Sequence, residues 1–108
     1  RAASASLEAA AAGKDSVRRQ LLVQLRQAHA GYVESVLKLR VDEAFVEAAN
    51  TRAQIARSKY NNGLMSFEDW DRIENELILR NKGRLLSQRD RVLAEAAWEQ
   101  VQGKGVIP

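Results

Sequence analysis

The sequence predicts an all-α chain folded as one long antiparallel helical hairpin of coiled-coil type. Three observations carry this. The 108 residues are rich in Ala, Gln, Glu and Arg, and the one proline is the last residue, Pro108. Such a composition favours helix almost throughout. Apolar residues recur seven apart, as in Leu25, Tyr32 and Leu39, or Val41, Ala48 and Ile55, the spacing that keeps a stripe facing one partner. Finally, the interior holds a single strong stop-and-start signal, Lys59-Tyr60-Asn61-Asn62-Gly63-Leu64-Met65-Ser66-Phe67-Glu68-Asp69-Trp70.

The chain forms one unit, residues 1–108. Its first helix is expected over 5–61, with Gly13 as a weak point and Lys14-Asp15-Ser16 as a competing helix start, which makes 13–16 the place where the helix can bend. Glycine weakens a helix by about 1 kcal/mol, and Asp can cap one. Leu22, Val36 and Phe45 lie beside the two seven-residue series, and the stripe shifts between those series instead of following one strict heptad. A run of this length spans about 70 Å or more at 1.5 Å per residue. That is too long for a compact domain.

The hairpin tip is expected over 62–66. Asn61, Asn62 and Gly63 end the first helix, because Asn tolerates the left-handed conformation and Gly adopts it freely. Ser66 caps the second helix, with Asp69 three residues on in a variant of the capping box. That helix runs over 67–102, with Leu85 and Val92, and Leu86 and Leu93, seven apart. Asn81, Lys82, Gln88 and Arg89 dilute its apolar character. Two helices with narrow seams bury too little to stand alone, so neighbours are expected. Gly103-Lys104-Gly105 ends the helix and leaves 103–108 as an extended tail.

The tip motif resembles that of outer-membrane efflux proteins, the TolC family. The family pattern is a basic residue, Tyr, two residues, Gly, five residues, Asp, and Lys59, Tyr60, Gly63 and Asp69 stand in that register. Trp70, Glu74 and Leu77 fit the run that follows, whereas Asp71 and Ile73 depart from it by charge and size. The Ala-rich start resembles the helix that follows a barrel strand, and 94–105 resembles the end of a family repeat. The resemblance implies one continuous first helix and a place in a trimeric α-barrel, the periplasmic part of an export channel. It implies a homotrimer, a periplasmic adaptor protein and, through that, an inner-membrane transporter as partners. Membrane contact would run only through a β-barrel that these residues do not include. The implied location is the periplasm of a Gram-negative bacterium, as part of an outer-membrane protein. By the same resemblance Gly63 and Leu64 form the adaptor-docking tip, and Tyr60 and Asp69 line the aperture. Met65 stands where some members place a gate-locking Arg; Lys59 and Arg72 are the substitutes at hand.

Other chemistry finds little support. Without cysteine there are no disulfides or thiolates, and compartment stays open. His29, the one imidazole, has no second His to complete a metal site and sits near the seam as a packing residue. No serine has a partner base and no glycine loop cradles phosphate, so neither an enzyme nor a cofactor is expected. The acids Glu68, Asp69, Asp71, Glu74 and Glu76 complement the helix dipole at the start of the second helix, and helical spacing scatters them too widely for calcium.

A pI near 9.6 raises nucleic acid as a partner, but the net charge is only +3 and both signs are interspersed. Arg80, Lys82, Arg84, Arg89 and Arg91 fan around the helix instead of forming a stripe, so nucleic acid is not expected, and a basic helical nucleic-acid-binding module stands only as an alternative. A second alternative is the adaptor's own helical hairpin. Adaptors carry Arg, then Leu four on, then Ser seven further. Arg18 with Leu22, and Arg89 with Leu93, begin that pattern, but His29 and Gln100 stand in place of Ser. The missing initiator Met and leader lead us to expect a piece of a longer protein.

Overall fold

In the computed structural model, which describes residues 2–106 and side chains as far as Gly103, the chain is a two-helix antiparallel hairpin: α1 (Ala2–Asn61) and α2 (Phe67–Val106). It measures 91 × 20 × 13 Å with a radius of gyration of 25.2 Å, about twice the ~13 Å of a globular chain of about this length. Helix α1 runs through Gly13 without interruption, so the competing start at Asp15 is not used.

Helix α1 has 60 residues and α2 has 40. At 1.5 Å per residue, α1 outreaches its partner by about 30 Å. Every residue over 2–20 is accordingly exposed. This overhang persists as helix because it extends an established one and so avoids the cost of a separate nucleus.

The two helices meet along a seam that corrects the expected shift of stripe. On α1 the half-buried and buried residues are Leu21, Leu25, Ala28, Tyr32, Ser35, Leu39, Asp42, Val46, Ala49, Ala53 and Ala56, which follow one heptad in steps of three and four, with Val36 half-buried beside them. The other series, Val41, Ala48 and Ile55, is exposed and points away from α2. Residues about equally far from Leu64 in sequence sit opposite each other, as His29 and Trp98 do at 5.0 Å between rings. Near the tip the small buried Ala49, Ala53 and Ala56 lie level with the larger Trp70, Ile73 and Leu77, all half-buried. Small against large lets the backbones approach. On α2 the seam then turns polar: Arg84, Ser87 and Arg91 replace apolar residues. Ser87 is 2% exposed and donates a hydrogen bond to the Asp42 carboxylate across the seam.

The leucines of α2 do the reverse of what their spacing led us to expect. Leu85, Leu86, Val92 and Leu93 are exposed, on the side away from α1. The end of α2 also differs from expectation. Helix continues to Val106, through the 103–106 part of the expected tail; residues 107 and 108 lie outside the described residues. A glycine costs a helix about 1 kcal/mol but ends it only when it turns left-handed. Among the described residues Gly63 alone has a positive φ.

Candidate functional site: the hairpin tip

The tip is built by two caps in succession. At the end of α1 the Leu64 N–H donates to the Lys59 carbonyl at 2.7 Å, and the Gly63 N–H to the Tyr60 carbonyl at 3.1 Å. These are the two bonds of a Schellman motif, and Gly63 takes the left-handed conformation it requires, with φ of 71°. Neither Asn61 nor Asn62 has a positive φ. Ser66 starts α2: its Oγ accepts from the Asp69 N–H at 3.2 Å, and its carbonyl accepts from the Trp70 N–H at 3.1 Å. The capping box is half-formed, since the Asp69 carboxylate instead takes a hydrogen bond from Arg72 at 3.0 Å.

Of the four residues implied by the resemblance, Gly63 and Leu64 sit at the reversal itself. Leu64 is 75% exposed, and a Cβ built on Gly63 meets nothing within 4 Å. Tyr60 belongs to an aromatic cluster behind them. Its ring stacks on Trp70 at 5.1 Å and 15°, and meets Phe67 edge-on at 6.2 Å. Asp69 lies outside that cluster and pairs with Arg72. The structure therefore joins Tyr60 to Phe67 and Trp70 and joins Asp69 to Arg72, with no hydrogen bond between Tyr60 and Asp69.

Two pairs not anticipated from sequence stitch the helices just behind the tip. The Arg57 guanidinium grips the Glu74 carboxylate through Nε at 2.5 Å and Nη2 at 3.0 Å. Arg52 reaches Glu76 at 2.8 Å. Folding the sequence about Leu64 sets Arg52 level with Glu76, whereas Arg57 reaches Glu74 about one turn beyond its own level. The acids at the start of α2 thus divide. Glu74 and Glu76 bind α1, Asp69 binds Arg72, and Asp71 takes a hydrogen bond from Asn75 at 3.4 Å. No group of acids or histidines among the described residues could hold a metal ion.

The hydrogen bonds from Arg57 hold Glu74 below the usual carboxylate range, against a smaller upward push from burial. Attraction to Arg57 and the nearby Trp70 indole, whose N–H makes no well-formed hydrogen bond, add to the lowering. The same pair raises Arg57. A carboxylate whose folded pKa is depressed contributes stability above its unfolded value and loses it as pH falls through the folded value. Tip closure should therefore be constant from neutral pH down to the unfolded carboxylate value of about 4.3, and loosen below it. NMR titration of Glu74 measures this directly. A midpoint at the ordinary value would mean that the fork does not persist in solution, and Glu74→Gln should abolish that acid-dependent part of the loosening.

Of the basic run on α2, Arg80, Arg89 and Arg91 are engaged within the hairpin, whereas Lys82 takes part in no ion pair among the described residues. Arg89 pairs with Asp90 and Arg91 with Glu95, Arg80 lies 4.4 Å from the centre of the Phe45 ring, and Arg84 is half-buried in the seam. Arg18 and Leu22 lie on the exposed face of α1 near the overhang, and Arg89 and Leu93 midway along α2, so neither adaptor-like pair is at the turn. No helix of the described chain is long and apolar enough to cross a membrane. Compared with protein-family models, characterised proteins and solved structures, the chain has no match. The likeness to the TolC family rests on the tip residues and on the form of the hairpin.

Proposed function

We propose that this hairpin is a section of the periplasmic tunnel of a TolC-like outer-membrane efflux or secretion protein. It acts within a homotrimer, its tip docks a periplasmic adaptor that links it to an inner-membrane transporter, and the tip also forms the aperture. The observation that carries this reading is the placement of the motif: Lys59, Tyr60, Gly63 and Asp69 bracket the reversal of a hairpin 91 Å long. The function is conduction and docking, and needs no reacting group.

In this reading Leu64 is the docking knob, and Gly63 supplies the left-handed turn that presents it. Tyr60 braces the tip through Trp70 and Phe67. Asp69 contributes one negative charge per copy to the opening, offset by Arg72, which takes the place of the gate-locking arginine missing at Met65. Like charges around a narrow opening attract cations and are costly unless paired.

The test uses the full-length protein that carries this chain. Leu64→Ala should weaken adaptor binding by tenfold or so while the channel still assembles. Gly63→Val should lose export as well, because a β-branched residue resists positive φ. In a planar bilayer, Asp69→Asn should lower cation preference, Tyr60→Phe should raise the open fraction, and Arg72→Gln should raise cation preference by exposing Asp69. Normal export by the Gly63→Val protein would remove the tip from docking. Unchanged selectivity in both charge variants would remove Asp69 from the aperture and leave it a helix-terminal ion pair.

A further inference from the structure

Asn62-Gly63 is the one asparagine-glycine step in the sequence. It lies at the reversal, outside both helices, and both residues are exposed. The other asparagines, Asn50, Asn61, Asn75 and Asn81, lie within helix, and each precedes a residue that has a side chain. Asn75 and Asn81 also commit their amides, to Asp71 and to the Leu77 carbonyl. The Asn62 carboxamide makes no hydrogen bond among the described residues. Open space surrounds the Gly63 Cα, with nothing within 4 Å of where a Cβ would stand.

An asparagine carboxamide is open to attack by the backbone nitrogen of the residue that follows it, which closes a small imide ring. Glycine favours this, having no Cβ to hinder the nitrogen and the widest choice of backbone angles. Here the Gly63 nitrogen gives up its proton to solvent base and attacks Asn62 Cγ. A bond forms from Cγ to the backbone nitrogen, the Cγ–Nδ2 bond breaks, and ammonia leaves. Water then opens the ring at either carbonyl. Breaking the new bond leaves aspartate; breaking the original peptide bond leaves isoaspartate, with the chain running through Cγ. Water is the only co-reactant.

The folded tip holds this reaction back. The Gly63 N–H donates to the Tyr60 carbonyl at 3.1 Å, and the Leu64 N–H to the Lys59 carbonyl at 2.7 Å. A nitrogen so engaged keeps its proton, and attack waits until the cap opens. Exposed turns open at a lower free energy than a packed seam. We propose that Asn62-Gly63 is a self-modification site, where the Asn62 amide is lost through an imide on the Gly63 nitrogen at a rate set by opening of the Schellman cap. Either product adds a carboxylate, ionised at neutral pH, to a tip that already carries Glu68, Asp69 and Asp71. Isoaspartate also puts one more carbon into the backbone between Lys59 and Leu64, so both cap bonds lose their register. The change is irreversible without a repair enzyme, and it depends on nothing that docks at the tip.

The test incubates the full-length protein that carries this chain, and a blocked peptide of residues 59–70, in mildly alkaline buffer. Peptide mapping by mass spectrometry counts aspartate and isoaspartate at position 62, and amide exchange measures how often Gly63 opens. Both should convert with isoaspartate among the products, the protein more slowly than the peptide by about tenfold or more. That ratio should match the Gly63 exchange protection within about threefold, because one opening exposes the same nitrogen to both reactions. Asn62→Gln, whose longer side chain closes the ring poorly, should stop conversion, and Asn61→Gln should leave it unchanged. Aspartate without isoaspartate would mean direct hydrolysis of the amide and overturns the proposal. So does a protein that converts as fast as the peptide, or a ratio that departs from the exchange protection. A protein still unmodified after its Gly63 amide has been open for as long as the peptide took to convert overturns it as well.

Discussion

Replacing Ala53 with glutamate is expected to unfold the tip-proximal half of the hairpin. Ala53 is fully buried, and Ala56 and Ala49 beside it are 1% and 4% exposed. No cation is paired across the seam at that level; Arg52 and Arg57 already hold Glu76 and Glu74. An unpaired charge buried there costs about 3 kcal/mol or more, which a hairpin with so small a core cannot absorb. Ala53→Leu adds volume without charge and should cost about 1–3 kcal/mol by forcing the helices apart. Thermal unfolding followed by the helix signal ranks the three proteins, and the expected order is wild type, Leu, Glu. A glutamate variant that melts with the wild type would show that the alanine face is not the contact face in solution.

The second large effect lies at the polar step of the seam. Ser87→Ala removes the hydroxyl that donates to Asp42, and leaves a half-buried carboxylate without that partner. This should cost about 1–3 kcal/mol. Ser87→Ala combined with Asp42→Leu makes the step apolar, continuous with Leu39 and Val46, and should be at least as stable as the wild type. The coupling between the two sites is the quantity measured. Strictly additive effects would mean that the serine and aspartate do not act as a pair.

The tip was legible because caps are local chemistry. Gly63 and Ser66 each satisfy backbone groups within five residues, and that requirement is written in neighbouring letters. The seam was less legible. Heptad spacing says which residues share a face, but two faces of α1 carry such spacing, and the period cannot say which one meets α2. The richer aliphatic sets, Val41 with Ile55 and Leu85 with Leu93, proved to be the outer ones, while the actual seam runs through Ala53, Asp42 and Ser87. Hydrophobicity alone points to the wrong side whenever a chain has more apolar surface than its own fold can cover. The extent of α2 was missed for a simpler reason: Gly103 and Gly105 lower helix preference without supplying the left-handed residue that stops a helix.

The pairing of residues equidistant from Leu64 also sets an order of events. Tyr60 and Phe67 are separated by a few residues and close a small loop, whereas His29 and Trp98 must close nearly the whole chain. The entropy lost on closing a loop grows with its length, and local contacts form fastest. Once the Schellman bonds fix the reversal, each further turn of the seam adds contacts to ends already held side by side. Closure therefore runs outward from the tip like a zip, and pulse-labelled amide exchange would find 58–70 protected before 25–32. The same twelve or so residues that would meet an adaptor are then also the nucleus of the fold, so a change at Gly63 slows folding as well as altering what the tip presents.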